Sequence, residues 1–293
     1  MRPLNGGRSV YTKLRSAVKN RVTWTNWEEL QFELQRFMAE ELRSPRYLEP
    51  KRVTQCGYKV YSQADEDGII AEIFRRIGAP AQTFVEFGVE TGSECNSLWL
   101  LAQGWSGLWI EADRNFCTKI RTNLRSYMDK DSGLHLINDF VTAKNINDLI
   151  GSRYKNDELD FLSIDIDHND YWVWKEINVV RPRVVCIEYN SAWRPPARLS
   201  VPYDPRGTWD QTNYMGSSLS ALTELGKTKG YSLVACSMSG SNAFFVRDDL
   251  VGDYFHAPGS DVEHYEPPRY FLRHLKGGHP AGFGPLVILK PGG

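Results

Sequence analysis

The sequence has no CxxC or other paired spacing of cysteine. Its five cysteines, Cys56, Cys95, Cys117, Cys186 and Cys236, are scattered and odd in number. That pattern excludes a zinc knuckle and a disulfide framework, and it predicts a reducing, cytoplasmic setting. Cys186 sits inside an apolar run and reads as a small core residue. No run of about 20 apolar residues occurs, so no membrane span is expected. Arg2, Arg8, Lys13 and Arg15 are not followed by an apolar stretch, which argues against a secretory signal. A surplus of one charge is also missing. The formal net charge is -1, so there is no general attraction to nucleic acid or to an anionic membrane.

What is present suits a globular protein with a sizeable core: 293 residues, 41% hydrophobic and 24% charged. Residues 1–60 differ in tone from the rest. Helical spacing over Val10–Val18 and Trp27–Leu42, the second with Asn26 as its cap, predicts an N-terminal helical extension. Such helices can cover a sheet end, shape an entrance or pair two subunits into a homo-oligomer. At Tyr61–Gly78 an acidic opening, Asp65 to Asp67, leads into an amphipathic helix carrying Ile69, Ile70, Ile73, Phe74 and Ile77. The helix dipole favours acids there, and Ser62 and Gln63 just ahead lie where a ligand crevice would open.

From Thr83 on, strands and helices alternate. Strands are expected at Thr83–Gly88, Leu108–Glu111, Leu134–Asn138, Leu159–Ile166 and Val184–Tyr189. Helices are expected at Glu94–Gln103, Asn115–Met128, Ile146–Ser152 and Tyr171–Val179. The strands are nearly continuous apolar runs, as in a parallel sheet covered on both faces. After Ser217–Lys229, a helix, Tyr231–Cys236 and Ala243–Arg247 flank the turn-forming SMSGSN and predict an antiparallel hairpin at the sheet edge. The expected fold is therefore α/β: a Rossmann-like, mostly parallel seven-stranded sheet spanning residues 61–250. Residues 251–293 form a tail packed on it. His256, His264 and His274 in that tail lack the spacing of a metal site.

The stretch that organises the chain is Phe84–Asn96, FVEFGVETGSECN. An apolar strand ends at Glu86 and meets Gly88 and Gly92, so backbone can approach a ligand at the carboxyl end of a strand. A second strand ends at Glu111, about 20 residues on, where a nucleoside ribose is usually held. Strand four ends LSIDIDHN, which puts Asp165 and Asp167 on one face if the strand continues. Strand five ends IEYN, with Glu188 and Asn190. If the two strands are neighbours, four oxygen-bearing side chains converge. Such donors suit Mg²⁺, Ca²⁺ or Mn²⁺ rather than Zn²⁺. A dication lowers the pKa of a hydroxyl, and Asp167 or His168 would take its proton. Asn190–Gly216 is long, aromatic and arginine-rich, and reads as a lid or substrate loop.

FVEFGVETGSECN, WIEAD, DFLSIDIDHNDYW and IEYN, in that order, resemble the successive motifs of class I S-adenosylmethionine-dependent methyltransferases. They are most similar to the FkbM-type and macrocin O-methyltransferase-like groups. The resemblance covers Tyr61 to Asp248. It implies an O-methyltransferase acting on a hydroxyl of a small-molecule or glycan acceptor, with S-adenosyl-L-methionine and Mg²⁺ or Mn²⁺. It would place Glu86, Gly88 and Gly92 at the methionine end, Glu111 on the ribose and Asp139 near the adenine. Asp165, Glu188 and Asn190 would hold the metal, with Asp167 as base. Trp193, Tyr203 and Trp209 would stack on the acceptor, while Arg194 and Arg206 would grip an anionic group on it. Two departures stand out: the turn GVETG lacks a third glycine, and strand five carries Glu-Tyr-Asn in place of adjacent acids. The rival readings are a glycosyltransferase whose Asp-x-Asp binds a nucleotide-sugar through a metal, and a non-enzymatic Rossmann-type binding module.

Overall fold

The computed structural model describes residues 29–128, 133–154, 159–272 and 278–290. They form two units, residues 29–49 and the chain from Pro50 on. In the first, residues 29–41 are helical. Arg36 reaches Glu33 and Glu40 across its exposed face, pairs worth a few tenths of a kcal/mol each. The helix expected at Val10–Val18 and the Asn26 cap lie outside the described residues.

The second unit is built on a seven-stranded sheet: β1 Thr83–Phe87, β2 Ser106–Glu111, β3 Leu134–Asn138, β4 Phe161–Ile164, β5 Val184–Glu188, β6 Tyr231–Cys236 and β7 Asn242–Arg247. The strand order is β3-β2-β1-β4-β5-β7-β6. The first five are parallel. β7 runs antiparallel to both β5 and β6, so the expected hairpin is present and its second strand is the inner one. The sheet is Rossmann-like. A two-residue antiparallel ladder, Leu199–Ser200 with Val287–Ile288, lies apart from it.

Both faces are covered, which explains the uninterrupted apolar strands. Alternate residues still point opposite ways. Val85, Phe87, Leu108, Ile110, Ile164 and Phe245 pack on one side. There they meet the helices α4 Ile146–Gly151, α5 Asp170–Glu176 and α6 Leu219–Lys229. Phe84, Trp109, Phe161 and Phe244 pack on the other, against α1 Glu66–Ile77, α2 Leu98–Ala102 and α3 Arg114–Asn123. Val53 is buried in that second cluster and Thr54 donates to the Cys236 carbonyl, so the residues just after Pro50 belong to the sheet unit.

Local chemistry sets the helix ends. Asp113 caps α3 by accepting from the Asn115 and Phe116 N–H groups, and Ser218 caps α6 through Ala221 N–H. Gly230, in the left-handed region, ends α6. Two elements show why an element can be shorter than its sequence pattern. α2 starts at Leu98 rather than Glu94, because the Asn96 and Ser97 N–H groups turn back to Glu86. β4 stops at Ile164 rather than Ile166, because the Ile166 N–H is taken by the Asp170 carboxylate.

The inner hairpin strand is locked by aromatics. Phe245 is fully buried and lies 4.9 Å, centroid to centroid, from Trp174 of α5. Phe245→Ala is expected to cost about 3–5 kcal/mol by cavity formation. Urea titration checks it: the midpoint should fall with an unchanged slope.

Candidate functional site

The chain leaves β1 outward to β2 and β3, then returns on the other side of β1 as β4. The carboxyl ends of β1 and β4 therefore border a crevice, as at any such reversal of strand order. A cavity of about 430 Å³ opens there. Of the residues proposed from sequence, Glu86, Gly88, Glu111, Asp139, Asp165, Asp167, Glu188 and Trp209 line it.

Gly88 has φ +79°, and a Cβ on it would overlap the Asp165 carbonyl oxygen. Only glycine allows β1 and β4 to approach this closely at their tips. The Glu86 carboxylate accepts from the N–H groups of Asn96 (2.8 Å) and Ser97 (2.9 Å) and from the Ser97 hydroxyl. Burial raises its carboxyl, and these donors oppose the rise. Glu86 thus moulds the turn as well as lining the cavity. Glu111 accepts from Glu90 N–H at 2.8 Å and from Asp113 N–H at 2.7 Å. It ties the glycine turn to the end of β2, and burial raises its carboxyl too.

The acidic centre lies at the tips of β4 and β5. These strands pair in parallel with Ile164 opposite Ile187, so the residues one step on, Asp165 and Glu188, emerge side by side. One carboxylate oxygen from each of Asp165, Asp167 and Glu188 lies within 4.8 Å of the others. Strand periodicity does not bring Asp167 there, because β4 has already ended. The chain makes a tight turn instead: His168 N–H donates to the Ile166 carbonyl at 2.8 Å, and Asp167 takes φ +61°. A non-glycine residue held in that region stores of order 1 kcal/mol or more. Asp170, fully buried, anchors the turn by accepting from Ile166 N–H at 2.9 Å. Three hard oxygen donors in one group fit a hard dication such as Mg²⁺ or Mn²⁺.

Other sequence expectations do not meet at the cavity. Gly92, at φ +73°, faces inward, and a Cβ there would come 2.6 Å from the Trp109 ring. It serves packing between the turn and β2. His168 is turned aside: its ring lies against Gly207 and is hydrogen-bonded to the Pro202 backbone, and burial lowers its pKa. Asn190 is spent on the loop. Its Nδ2 donates to the Asn213 and Met215 carbonyls, and its Oδ1 accepts from Ala192 N–H. Trp193 bonds back to the Asn190 carbonyl through its N–H. Arg194 is exposed beside Tyr265, Tyr203 leans on Trp172, and Arg206 is exposed. The long loop instead contributes Gly207, Thr208, Trp209 and Met215.

Sequence reasoning missed several cavity residues. Asn242 pairs with Glu188 across β5 and β7. Tyr270 and His279 come from the tail, and Trp209 meets His279 edge-on at 4.8 Å. Of the pair expected near the crevice, Gln63 does line the cavity, whereas Ser62 is engaged with Asp67. The acids that open α1 sit at its N-terminus as expected, Asp65 at the cap position and Glu66 and Asp67 in the first turn. All three are buried and hold loops. Asp65 accepts from Met238 N–H, Glu66 from Ala64 N–H and Asn242 Nδ2, and Asp67 from Val60, Tyr61 and Ser62 N–H. His264 is buried on the His256 and Ala257 carbonyls, its pKa lowered to about 3 by burial, and His274 lies outside the described residues.

No protein-family model matches the chain, and no curated protein matches its sequence. Solved structures are similar in fold. A magnesium protoporphyrin IX methyltransferase (ChlM) from Synechocystis PCC 6803 with bound SAM is 11% identical at TM-score 0.42, over 73% of this chain and 97% of that one. The N-terminal domain of EvdMO1 with SAH bound is 13% identical at TM-score 0.41, over 71% and 94%. WbdD is 12% identical at TM-score 0.40, over 64% of this chain and 42% of that one, so the match spans less than half of WbdD. At these values the likeness carries no residue role or substrate to this chain. Among the described residues no helix is long and apolar enough to cross a membrane.

Burial raises the Asp170 carboxyl to about 7. A folded-state pKa above the unfolded value of about 3.9 means that this group favours folding at low pH. That contribution is lost as pH rises through about 7. Asp170→Asn cannot ionise. It is therefore expected to gain on the parent between pH 4 and 7, by up to about 1.4 kcal/mol per pH unit. Urea midpoints of both proteins at pH 4, 6 and 8 test this; parallel pH profiles would refute it.

Proposed function

We propose that the chain is an S-adenosylmethionine-dependent O-methyltransferase that methylates a hydroxyl of a sugar or glycan-type acceptor, assisted by Mg²⁺ or Mn²⁺. The observation that carries the reading is the meeting of Asp165, Asp167 and Glu188 in the same cavity as Gly88 and Glu111. Nucleoside-type features and a hard-cation donor set share one hollow, an arrangement that suits metal-assisted transfer from a nucleoside cofactor to a hydroxyl. The ordered motifs named above support the same reading.

Each residue has a role in it. Glu111, oriented by Glu90 and Asp113 N–H, has a carboxylate to accept ribose hydroxyls. Asp139, which accepts from Phe140 N–H, would border the adenine. Gly88 leaves room for the methionine end. Asp165 and Glu188 would hold the cation, and Asp167, aimed by its turn, is the base in preference to His168, whose ring is engaged elsewhere. When bound, the cofactor supplies a sulfonium methyl and the cation makes the acceptor hydroxyl more acidic. The acceptor oxygen would take the methyl carbon, the C–S electron pair staying with the departing thioether, and Asp167 would take the hydroxyl proton. Alignment of oxygen, carbon and sulfur is the main contribution of the protein.

Isothermal titration with S-adenosylhomocysteine and with Mg²⁺ tests the proposal. Glu111→Ala is expected to weaken S-adenosylhomocysteine binding more than about tenfold, or ~1.4 kcal/mol. Asp165→Ala should remove Mg²⁺ binding and leave that affinity intact. A parent protein that binds UDP-sugar and not S-adenosylhomocysteine would replace methyl transfer with glycosyl transfer.

A further inference from the structure

The side of the cavity away from Glu111 is built to meet hydrogen-bond donors and positive charge. Asp165, Asp167 and Glu188 lie there, and none of the described residues lining the cavity is Lys or Arg. Asn242 supplies a second, independent observation. It is 3% exposed, and its Nδ2 donates to Glu66 Oε1 at 3.1 Å. A carboxylate only accepts, so this bond fixes the amide orientation. The Asn242 Oδ1 is left buried with no hydrogen-bond partner, in a residue that lines the cavity and lies in register with Glu188. Gln63 Oε1 is likewise buried and unpartnered. It lies on the loop held through Ala64 N–H to the other oxygen of Glu66. A buried acceptor without a donor is destabilising, so a ligand bringing N–H groups is favoured there. Aromatic rings complete this lining: Trp209, Tyr270 and His279, with His279 4.8 Å from Trp209 and 5.2 Å from Tyr270. Ring faces attract cations.

We propose that the acceptor is a polyhydroxylated molecule carrying an ammonium group, and that this cleft selects against acceptors bearing phosphate or carboxylate. The ammonium donates to Asn242 Oδ1 and Gln63 Oε1 beside the carboxylates, while the aromatic rings cover the carbon face. The arginines expected to grip an anion, Arg194 and Arg206, do not line the cavity. This rests on the methyl-transfer reading for calling the ligand an acceptor, but the preference for an amine is a property of the lining alone.

The test is a ligand-observed NMR titration of the full chain with D-glucosamine, D-glucose and D-glucose 6-phosphate. It is run with and without S-adenosylhomocysteine, at a pH where the amine is protonated. D-Glucosamine should bind at least about tenfold more tightly than D-glucose, and D-glucose 6-phosphate more weakly than either. Gln63→Lys, at a half-buried position, should abolish the preference and favour the phosphate. Equal affinity for amine and neutral sugar, tighter binding of the phosphate, or no binding of the amine overturns the proposal. If S-adenosylhomocysteine binds and the amine preference is absent, only this inference falls. If S-adenosylhomocysteine does not bind, the methyl-transfer reading falls, and the amine preference is still decided by the titration without it.

Discussion

Three carboxylates in one small space repel one another, and the architecture exists around that constraint. Asp165, Asp167 and Glu188 are held within 4.8 Å by the β4–β5 register and by a strained turn at Asp167. Neither device is soft. The register belongs to the hydrogen-bonded ladder of a sheet buried on both faces. The turn is pinned by Asp170 through Ile166 N–H. Held this way, the three side chains present an oxygen donor set of the kind a hard dication would fit.

The same tips serve a second purpose. Gly88 sits where a side chain would strike the Asp165 carbonyl, so the turn after β1 and the acids after β4 are in direct contact. Glu86 and Glu111 brace that turn from either side, each through backbone N–H groups. A nucleoside beside Glu111 and a hydroxyl beside Asp167 would thus share one rigid frame. Such preorganisation is what a displacement reaction most needs. Behind the frame the buried Glu66 accepts from both Ala64 N–H and Asn242 Nδ2, which ties the loop carrying Gln63 to the start of β7.

Much of this was legible in the residues. Continuous apolar runs marked five parallel strands, and β3 and β6 match their expected limits. Glu86, Gly88, Glu111, Asp139, Asp165, Asp167 and Glu188 were each placed at the correct strand tip, because tips are where apolar runs end. The errors share a cause. Asn190, His168, Arg194 and Arg206 follow strand tips in sequence, yet loop backbone turns them to carbonyls, glycine or solvent. Proximity along a loop says nothing about direction, since each residue has two free dihedrals. Asn242, Tyr270 and His279 come from segments far from these tips in sequence, and no local period marks them.

The residues alone determined a covered parallel sheet with acids and glycine at its carboxyl edge. Burial of both faces demands uninterrupted apolar strands, and polar residues can begin only where those strands stop. Tertiary structure alone decided which polar groups face the common hollow. Strand order placed β7 between β5 and β6 and so set Asn242 beside Glu188. A positive φ, invisible in an Asp-x-Asp pattern, swung Asp167 into the group. Long-range register and single-residue dihedrals are chosen by the packing of the whole sheet, which no short stretch of sequence encodes.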